Sequence, residues 1–486
     1  MDLNFLTIKA ARSALDNGEI SSLAITEACL NQIKTKDGQI KACLLVDETG
    51  ALKAAKEADR RLAQGDRSPL LGIPYLVKDL IMTKGLKTTA ASKILEHYHA
   101  PYDATVISRL KEAGAVLLAK TNLDEFAHGA STENSAFQIT CNPWDLERVP
   151  GGSSGGSSAA LAAGMGLFSL GSDTGGSIRQ PASFCNLFGF KPSYGRVSRF
   201  GLLSMTSSTD VIGPFCRSSE DLAMVMSVIS GQDKRDANTI QDDQINYSSL
   251  LKTKRSKLRI GVVSEHFSEA LDRRIKASLM ETLKELEKAG HDIIEINLAA
   301  NEYSIPVYYI ITPSELSSNL ARFNGLAWAR SGLEASDLQS FYKKHRGQGF
   351  GPEVKRRIML GTFALSGGYN DAYYKQAQAV REMIRLDYQH AFSKVDLIIS
   401  PTTPHVAFKI GSQVNNPLAM YLEDTYLSGA SLAGLPAVSI PGGFLLESGK
   451  DLPFGFQLIG PATRDDLVLQ GASILEKINN YNERRP

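Results

Sequence analysis

The sequence predicts an α/β fold in which a large mixed, mostly parallel sheet is sandwiched between helices. Two observations favour it. Short apolar runs alternate with amphipathic helical patterns at two places along the chain, which is typical of layered α/β proteins. In addition, 43% of the 486 residues are hydrophobic and the net charge is only +1. This balance argues against intrinsic disorder and against a surface devoted to nucleic acid.

The first alternating pattern lies in the N-terminal third of the chain. Residues 1–66 are helical in pattern, and residues 71–78 form a short apolar run that ends on a lysine. Residues 104–113 then predict a helix that stops at Gly114, and residues 115–119 predict a buried strand. Parallel strands need such a crossover helix, so this order predicts a parallel pair.

The second pattern comprises a strand at 258–263, a helix at 271–286 and a strand at 291–298. Gly290 can end the helix because glycine tolerates the left-handed conformation at this position. Residues 232–257 are polar and mixed in charge. We interpret them as a surface connection inside a single domain that spans residues 1–486.

The cysteines and the N-terminus indicate the cellular compartment of the protein. No pair of cysteines forms a CxxC motif, so we expect them to be reduced and mostly buried. The N-terminus has no long apolar segment, and no apolar run reaches about 18 residues. We therefore expect a cytoplasmic protein with no membrane association. The five cysteines are Cys29, Cys43, Cys141, Cys185 and Cys216.

Two glycine- and serine-rich loops, PGGSSGGSS at 150–158 and GSDTGGSIRQP at 171–181, flank a predicted helix at 157–163 and a strand at 167–170. A flexible linker is rarely followed at once by buried elements. The first loop has the GxxxxG spacing of a phosphate loop, from Gly151 to Gly156, but Ser157 stands where the lysine of such a loop is needed. A dinucleotide loop is also disfavoured, because the glycines at 164 and 166 precede a strand.

A serine nucleophile is the third interpretation. The turn from Asp173 to Ser177 supplies a hydroxyl beside several backbone N–H groups, which are the parts of an oxyanion hole. Neither loop contains a histidine to act as the base, although lysine is an accepted alternative. The SxxK motif from Ser108 to Lys111 lies inside an amphipathic helix and lacks the SDN and KTG motifs that should follow. The residues alone leave the base unassigned.

The motifs GIPYLVKD, GGSSGGSS and GSDTGGSIRQPA, in this order and spacing, resemble the amidase signature family, and the resemblance runs over nearly the whole chain. Within that family the sequence is most similar to the glutamine-hydrolysing subunits of tRNA-dependent amidotransferases. The stretches that carry this closer similarity are residues 121–137, 191–202, 318–325, 353–374 and 431–443.

The resemblance implies a role for each matching residue. Ser177 matches the nucleophile, Ser153 the bridging serine that follows a cis peptide bond, and Lys78 the base. Backbone N–H groups would form the oxyanion hole, and three further side chains would recognise glutamine. The oxyanion-hole residues are Thr174, Gly175, Gly176 and Ser177, and the glutamine-binding residues are Tyr308, Arg357 and Asp424.

Charge supports two of these substrate-binding roles. Arg357 can hold an α-carboxylate in a bidentate pair, and Asp424 can hold an α-ammonium group. The sequence departs from the usual pattern of these proteins at four positions, which puts the shape of the pocket in question. The departures are Leu80, His128, Thr209 and Val211.

The resemblance also implies partners. The chain would hydrolyse L-glutamine and pass ammonia to the B subunit of a heterotrimer, which is completed by the C subunit. The B subunit would bind the mischarged Glu-tRNA(Gln), or Asp-tRNA(Asn), and would use ATP and Mg²⁺. We expect no metal or cofactor on this chain itself. The alternatives are a free-standing amidase that acts on another small amide, and a non-catalytic scaffold that has kept the fold.

Overall fold

The computed structural model describes residues 2–242, 245–251, 257–326, 328, 333–414, 416–481 and 483–486. These residues form one mixed sheet of 11 strands. The strands are β1 (Cys43–Val46), β2 (Pro74–Lys78), β3 (Val116–Thr121), β4 (Phe168–Asp173), β5 (Phe188–Lys191), β6 (Val211–Cys216), β7 (Arg259–Val263), β8 (Asp292–Ile296), β9 (Leu397–Pro401), β10 (Ala437–Glu447) and β11 (Lys450–Ile459). Their order in the sheet is β1-β3-β2-β4-β6-β5-β10-β11-β9-β7-β8.

Helices surround this sheet. They are α1 (Ile8–Asp16), α2 (Ser22–Ile40), α3 (Glu48–Ala63), α4 (Thr105–Glu112), α5 (Gly155–Ala162), α6 (Arg179–Phe184), α7 (Ser219–Ile229), α8 (Tyr247–Leu250), α9 (Arg273–Lys288), α10 (Ser304–Asn319), α11 (Leu338–Gly349), α12 (Pro352–Leu365), α13 (Gln376–Lys394), α14 (Pro417–Leu422), α15 (Ser428–Leu432) and α16 (Asp465–Asn479). Short 3₁₀ turns span Leu3–Phe5, Lys93–Leu95, Glu125–Ala127, Ser264–Phe267, Ala299–Tyr303 and Leu320–Arg322, and a π-turn spans Asp371–Lys375.

Both faces of the sheet are covered, and the alternation of side chains along each strand shows how. Ile399 and Val438 belong to a core shared with α9 and α16, whereas the adjacent Ile398 and Ala437 belong to a second core shared with α10 and α13. Successive side chains of a strand point to opposite faces. The predicted sandwich of a mixed sheet between helices is therefore confirmed.

The predicted predominance of parallel strands is wrong. Of the ten strand pairings among the described residues, four are parallel (β2 with β3 and β4, β7 with β8 and β9) and six are antiparallel. The two strand–helix–strand patterns in the sequence identified only strands that are joined through crossover helices. Antiparallel neighbours such as β10 and β11 are joined by a short turn and leave no helical pattern between them.

The two predicted strand–helix–strand units are confirmed as β2–α4–β3 and β7–α9–β8, each with parallel strands. Helix α9 begins after Asp272, whose side chain caps the backbone N–H of Arg274, and ends before Gly290, whose φ is +93°. The predicted helical region at 1–66 contains α1, α2 and α3, but also β1, a short edge strand that the helical pattern conceals.

The segment 232–257 is described in part, because residues 243–244 and 252–256 lie outside the described residues. It contains α8, whose Tyr247 is buried in the larger core. That core extends from Ile8 near the N-terminus to Leu475 near the C-terminus. The assignment of residues 1–486 to one domain stays a prediction.

All five cysteines are free thiols, and four of them are buried, as predicted; Cys141 is half-buried. Among the helices of the described residues, none is both long enough and apolar enough to cross a bilayer.

The fold brings the ends of two strands to one edge of the sheet, with a pair of helices beside them. Strands β2 and β4 are parallel neighbours, so Lys78 at the end of β2 and Asp173 at the end of β4 lie at the same edge. Helices α10 and α12 pack against each other close to this edge. Gly361 lets them approach closely, since a Cβ atom there would overlap the carbonyl oxygen of Pro313.

We expect Gly361→Ala to destabilise the protein by about 1–3 kcal/mol, because overpacking forces neighbouring backbone to shift. Gly367→Ala is the matched control, since Gly367 follows the same helix and has open space around its Cα. Thermal and denaturant unfolding of the two variants measures the difference. Equal stability of the two variants would contradict the close packing of α10 on α12.

Candidate active site

The centre of the site is Lys78, whose side chain is fully buried. Its Nζ lies 2.8 Å from the hydroxyl of Ser153 and 2.9 Å from the hydroxyls of Ser154 and Ser172. Desolvation lowers the pKa of Lys78 to about 7, although buried carboxylates nearby partly oppose this shift. A lysine with this pKa is substantially neutral at physiological pH and can serve as a base.

The hydrogen bonds around Lys78 limit which hydroxyl can donate a proton to its Nζ atom. The hydroxyl of Ser154 donates to the carbonyl of Ser172 at 3.1 Å, so its hydrogen is already used and it accepts from Nζ. Nζ therefore has to take a proton from another hydroxyl when it acts as a base. Two hydroxyls remain, Ser153 at 2.8 Å and Ser172 at 2.9 Å, and of these Ser153 is the one that the family resemblance predicts.

Ser153 follows a cis peptide bond from Gly152. The N–H of Gly152 donates to Oε1 of Gln180 at 2.9 Å, and the N–H of Ser154 donates to the carbonyl oxygen of Ser177 at 3.2 Å. These bonds hold the two loops side by side. Among the hydrogen bonds of the described residues, none joins the hydroxyls of Ser153 and Ser177. Catalytic hydrogen bonds often form only once substrate is bound.

The turn that carries Ser177 is fixed by a buried ion pair. Asp173 and Arg179 lie at its two ends, with 3.0 Å between Oδ1 and Nη2, and both side chains are fully buried. Asp173 also accepts from the N–H of Ile178 at 3.2 Å. Burial opposes ionisation of Asp173, but the charge of Arg179 outweighs it and lowers the pKa of Asp173. The ion pair therefore defines the shape of the turn.

The turn presents backbone N–H groups as the sequence predicts. Among the described residues, the N–H groups of Thr174, Gly175, Gly176 and Ser177 have no protein acceptor. Gly176 has a φ of +144°, and a Cβ atom at Gly175 would overlap the ring of Tyr308. Glycine is required here both for conformation and for close approach. Ser177, which follows these groups, is itself buried.

The three predicted substrate-binding residues come together around a pair of stacked tyrosines. The rings of Tyr309 and Tyr421 lie 3.9 Å apart, and the guanidinium of Arg357 lies over both, at 5.1 and 5.5 Å. Tyr309 donates to Asp424 at 3.0 Å and packs edge-on against Tyr308 at 5.1 Å. Since Tyr308 also contacts Gly175, this cluster adjoins the serine turn.

Both charged members of this cluster are buried. Desolvation raises the pKa of Asp424 to about 7. Arg357 donates through Nε to Glu353 at 2.8 Å, and no carboxylate of the described residues bonds its two terminal nitrogens. This leaves the planar edge of the guanidinium for a ligand carboxylate.

Several residues of this site were not predicted from the sequence. Asp173 and Arg179 bracket the turn inside the quoted motif, and a pair of opposite charges at the two ends of a glycine turn was a usable signal. Tyr309, next to the predicted Tyr308, and Tyr421 carried no such signal, because their positions depend on tertiary packing. The departures Leu80, His128, Thr209 and Val211 are all buried.

We expect a fluorophosphonate to label Ser177 faster as pH rises through about 7. The pKa of Lys78 is lowered, so its neutral form is present above pH 7 and is lost as pH falls. The rate should change about tenfold per pH unit on the acidic side and level off above about pH 8. Lys78→Arg, which stays charged, should label slowly at every pH. A flat profile for the unsubstituted protein from about pH 5.5 to 9 would exclude Lys78 as the base.

This chain is similar to known proteins over most of its length. The family model described as Amidase matches residues 24–469. The A subunit of glutamyl-tRNA(Gln) amidotransferase from Thermoanaerobacter pseudethanolicus is 49% identical over 484 residues, which cover 100% of this chain and 98% of that protein. The protein of the same name from Roseiflexus castenholzii is 51% identical over 483 residues, which cover 99% of this chain and 97% of that protein.

A solved structure is also similar over its whole length. The crystal structure of the A subunit of glutamyl-tRNA(Gln) amidotransferase from Thermotoga maritima has a TM-score of 0.79 and 39% sequence identity, covering 100% of this chain and 98% of that chain. The family model spans most of the sequence, and the relatives match it nearly end to end. The chain therefore belongs to the amidase family that its signature motifs predict.

Proposed function

We propose that this chain is the glutamine-hydrolysing subunit of a tRNA-dependent amidotransferase, equivalent to the A subunit of glutamyl-tRNA(Gln) amidotransferase. The observation that carries the proposal is the combination of two clusters in one site. One cluster holds a buried, substantially neutral Lys78 beside Ser153 and the Ser177 turn. The other holds a buried arginine and a buried aspartate on two tyrosines, as a free amino acid would require.

The proposed binding mode follows from charge. Arg357 binds the α-carboxylate of glutamine through its terminal nitrogens, and Asp424 binds the α-ammonium group. Tyr308, between Tyr309 and Gly175, separates the charged end of the substrate from the serine turn. The side-chain amide then extends to Ser177. An apolar amide would leave the terminal nitrogens of Arg357 and the Asp424 carboxylate without a partner of opposite charge, which disfavours a free-standing amidase for such substrates.

In the first half of the reaction, the Ser177 hydroxyl attacks the amide carbon. Its proton passes to Ser153, and the proton of Ser153 passes to Nζ of Lys78. The backbone N–H groups of the turn stabilise the oxyanion. Lys78, now protonated, returns a proton through Ser153 to the departing nitrogen, and ammonia leaves. Water then hydrolyses the glutamyl ester on Ser177.

The ammonia must be kept from water, since protonation at neutral pH would convert it to ammonium, which is not a nucleophile. We propose that it passes to the B subunit of a complex formed with the B and C subunits. The B subunit would use ATP and Mg²⁺ to activate Glu-tRNA(Gln), or Asp-tRNA(Asn), and ammonia would form the amide. The near-zero net charge of this chain supports a division in which the tRNA is bound elsewhere in the complex.

We expect Ser177→Ala to abolish glutamine-dependent amidation while the reconstituted complex still amidates charged tRNA from a high concentration of ammonium salt. The substitution removes only the nucleophile, and the chemistry on the partner does not need it. One assay with two nitrogen donors measures both activities. Wild-type activity with glutamine would refute the nucleophile, and loss of both activities in an assembled complex would refute the division between subunits.

We expect Arg357→Ala to raise the KM for glutamine at least about 30-fold, because losing one partner of a buried charge pair costs about 2 kcal/mol or more. Arg385→Ala is the matched control, since Arg385 is an exposed arginine on α13. Arg357→Lys, which keeps the charge but loses the bidentate geometry, should give an intermediate KM. Steady-state glutaminase kinetics of the three variants measure the effect, and an unchanged KM in Arg357→Ala would remove this residue from the site.

A further inference from the structure

The glycine turn before Ser177 has one residue through which a side chain can hold it in place. Of the four residues whose N–H groups find no protein acceptor in the described part of the chain, Gly175 and Gly176 have no side chain. The hydroxyl of Ser177 has to stay available for reaction. Thr174 remains, and it is buried. Since an oxyanion hole works only when its donors are held in place beforehand, the partner of the Thr174 side chain matters for the reaction.

That partner is Asp210, a buried aspartate directly before β6. The hydroxyl of Thr174 lies 2.7 Å from its Oδ1 atom. The sheet places the two residues together, because β4 and β6 are antiparallel neighbours in which Asp173 pairs with Val211. The residue after Asp173 therefore lies beside the residue before Val211. The contact follows from the register of the sheet and does not depend on a bound ligand.

The direction of this hydrogen bond is from Thr174 to Asp210. Burial raises the pKa of Asp210 to about 6, although the hydrogen bonds from Thr174 and from two backbone N–H groups oppose the shift. The side chain is therefore mostly ionised at neutral pH, and a carboxylate can only accept a hydrogen bond. The Thr174 hydroxyl is the donor of a charge-assisted hydrogen bond, which is stronger than a bond between neutral groups.

Asp210 is itself firmly placed. Its second oxygen, Oδ2, accepts from two backbone N–H groups of the loop 204–210 at 2.8 and 2.9 Å. This loop is tied to α10, because the N–H of Ser208 donates to Glu315 of that helix at 2.9 Å. Helix α10 also carries Tyr308, which packs directly on the turn. One helix thus supports the turn at two points, through Tyr308 and through the loop that holds Asp210.

The same hydrogen bond keeps the Thr174 hydroxyl away from the backbone of the turn. Threonine hydroxyls commonly accept from the backbone N–H two residues further along the chain. At this position that N–H belongs to Gly176, which is one of the predicted oxyanion donors. In the described part of the chain, no N–H group donates to the Thr174 hydroxyl. The donors of the turn are therefore left free for a ligand.

We propose that Asp210 is a positioning residue for the oxyanion hole: by accepting from the Thr174 hydroxyl, it holds the N–H groups of the turn in the geometry that the oxyanion requires. This inference rests on the proposed function, in which those groups stabilise the oxyanion. The hydrogen bond lies behind the turn and touches no part of the substrate. Its loss should therefore lower kcat, whereas substrate binding by Arg357 and Asp424 should be preserved.

The test compares Thr174→Val with Thr174→Ser in the complete complex. Valine has a similar shape without the hydroxyl, whereas serine keeps the donor to Asp210. We expect Thr174→Val to lower kcat for glutamine at least about tenfold and to change KM less than about twofold. Thr174→Ser should lose clearly less. Fluorophosphonate labelling of Ser177 should slow in parallel with kcat, because the phosphoryl oxygen of the probe takes the place of the oxyanion.

A second variant removes the acceptor. Asp210→Ala should lower kcat at least about tenfold by itself, but less than about twofold further when Thr174→Val is already present, because two partners of one hydrogen bond are not additive. Asp221→Ala is the matched control. Asp221 is also buried and accepts from two backbone N–H groups, at 3.0 and 3.1 Å, but these begin α1, which is no part of the site. This control should keep the wild-type kcat.

Four results would overturn the inference. They are a wild-type kcat in Thr174→Val, an equal loss in Thr174→Ser, full additivity of Thr174→Val and Asp210→Ala, and an equal loss of kcat in Asp221→Ala. The last result would show that general destabilisation explains the effect. Where Asp210→Ala does not fold, the two Thr174 variants decide the question without it.

Failure of the proposed function gives a different result. Unsubstituted protein that is labelled at Ser177 but does not hydrolyse glutamine would refute the proposed function, whatever the variants do. The labelling rates of the same variants would still test the role of Asp210, because the probe needs the oxyanion hole and not the amino-acid cluster.

Discussion

The site depends on keeping Lys78 away from water and out of direct contact with any carboxylate. A buried ammonium is stabilised when a carboxylate pairs with it, and such pairing would hold the lysine in its charged form. Lys120 on the adjacent strand illustrates the alternative: it is equally buried, but its Nζ lies 3.1 Å from Asp79. Lys78 instead has three hydroxyl neighbours. Two equally buried lysines on neighbouring strands thus differ in their partners, which are hydroxyls for Lys78 and a carboxylate for Lys120.

The surrounding architecture serves this constraint. Strand β2 is flanked by parallel neighbours on both sides, which buries its end completely. Burial without a counter-charge at Lys78 is tolerated only where the rest of the site is firmly held, and the fully buried Asp173–Arg179 pair provides this at the neighbouring turn. Removing either member would leave an unpaired buried charge. The turn that carries Ser177 is therefore held by a buried ion pair, whereas the proposed base, Lys78, is buried without one.

Much of the fold and of the site can be predicted from the sequence, and the features that cannot be predicted share a physical cause. Crossover helices leave a periodic pattern, so β2–α4–β3 and β7–α9–β8 could be predicted, whereas a hairpin such as β10–β11 leaves none. The motif resemblance indicated Lys78, Ser153 and Ser177, and the structure brings Lys78 and Ser153 together while leaving their roles to experiment. Tyr309 and Tyr421 are far apart in sequence and meet only through packing of α10 against α14. No local pattern encodes such a meeting.

The close contact at Gly361 joins two helices that form one part of the site, and strand ends and loops form the other part. The groups proposed to break the amide bond come from strand ends and the loops between them, whereas Tyr308 and Arg357 come from α10 and α12, which pack closely at that contact. Tyr308 of this helical pair contacts the turn at Gly175. Substitutions along these two helices could therefore exchange one amide for another in the course of evolution, while the bond-breaking layer is inherited unchanged.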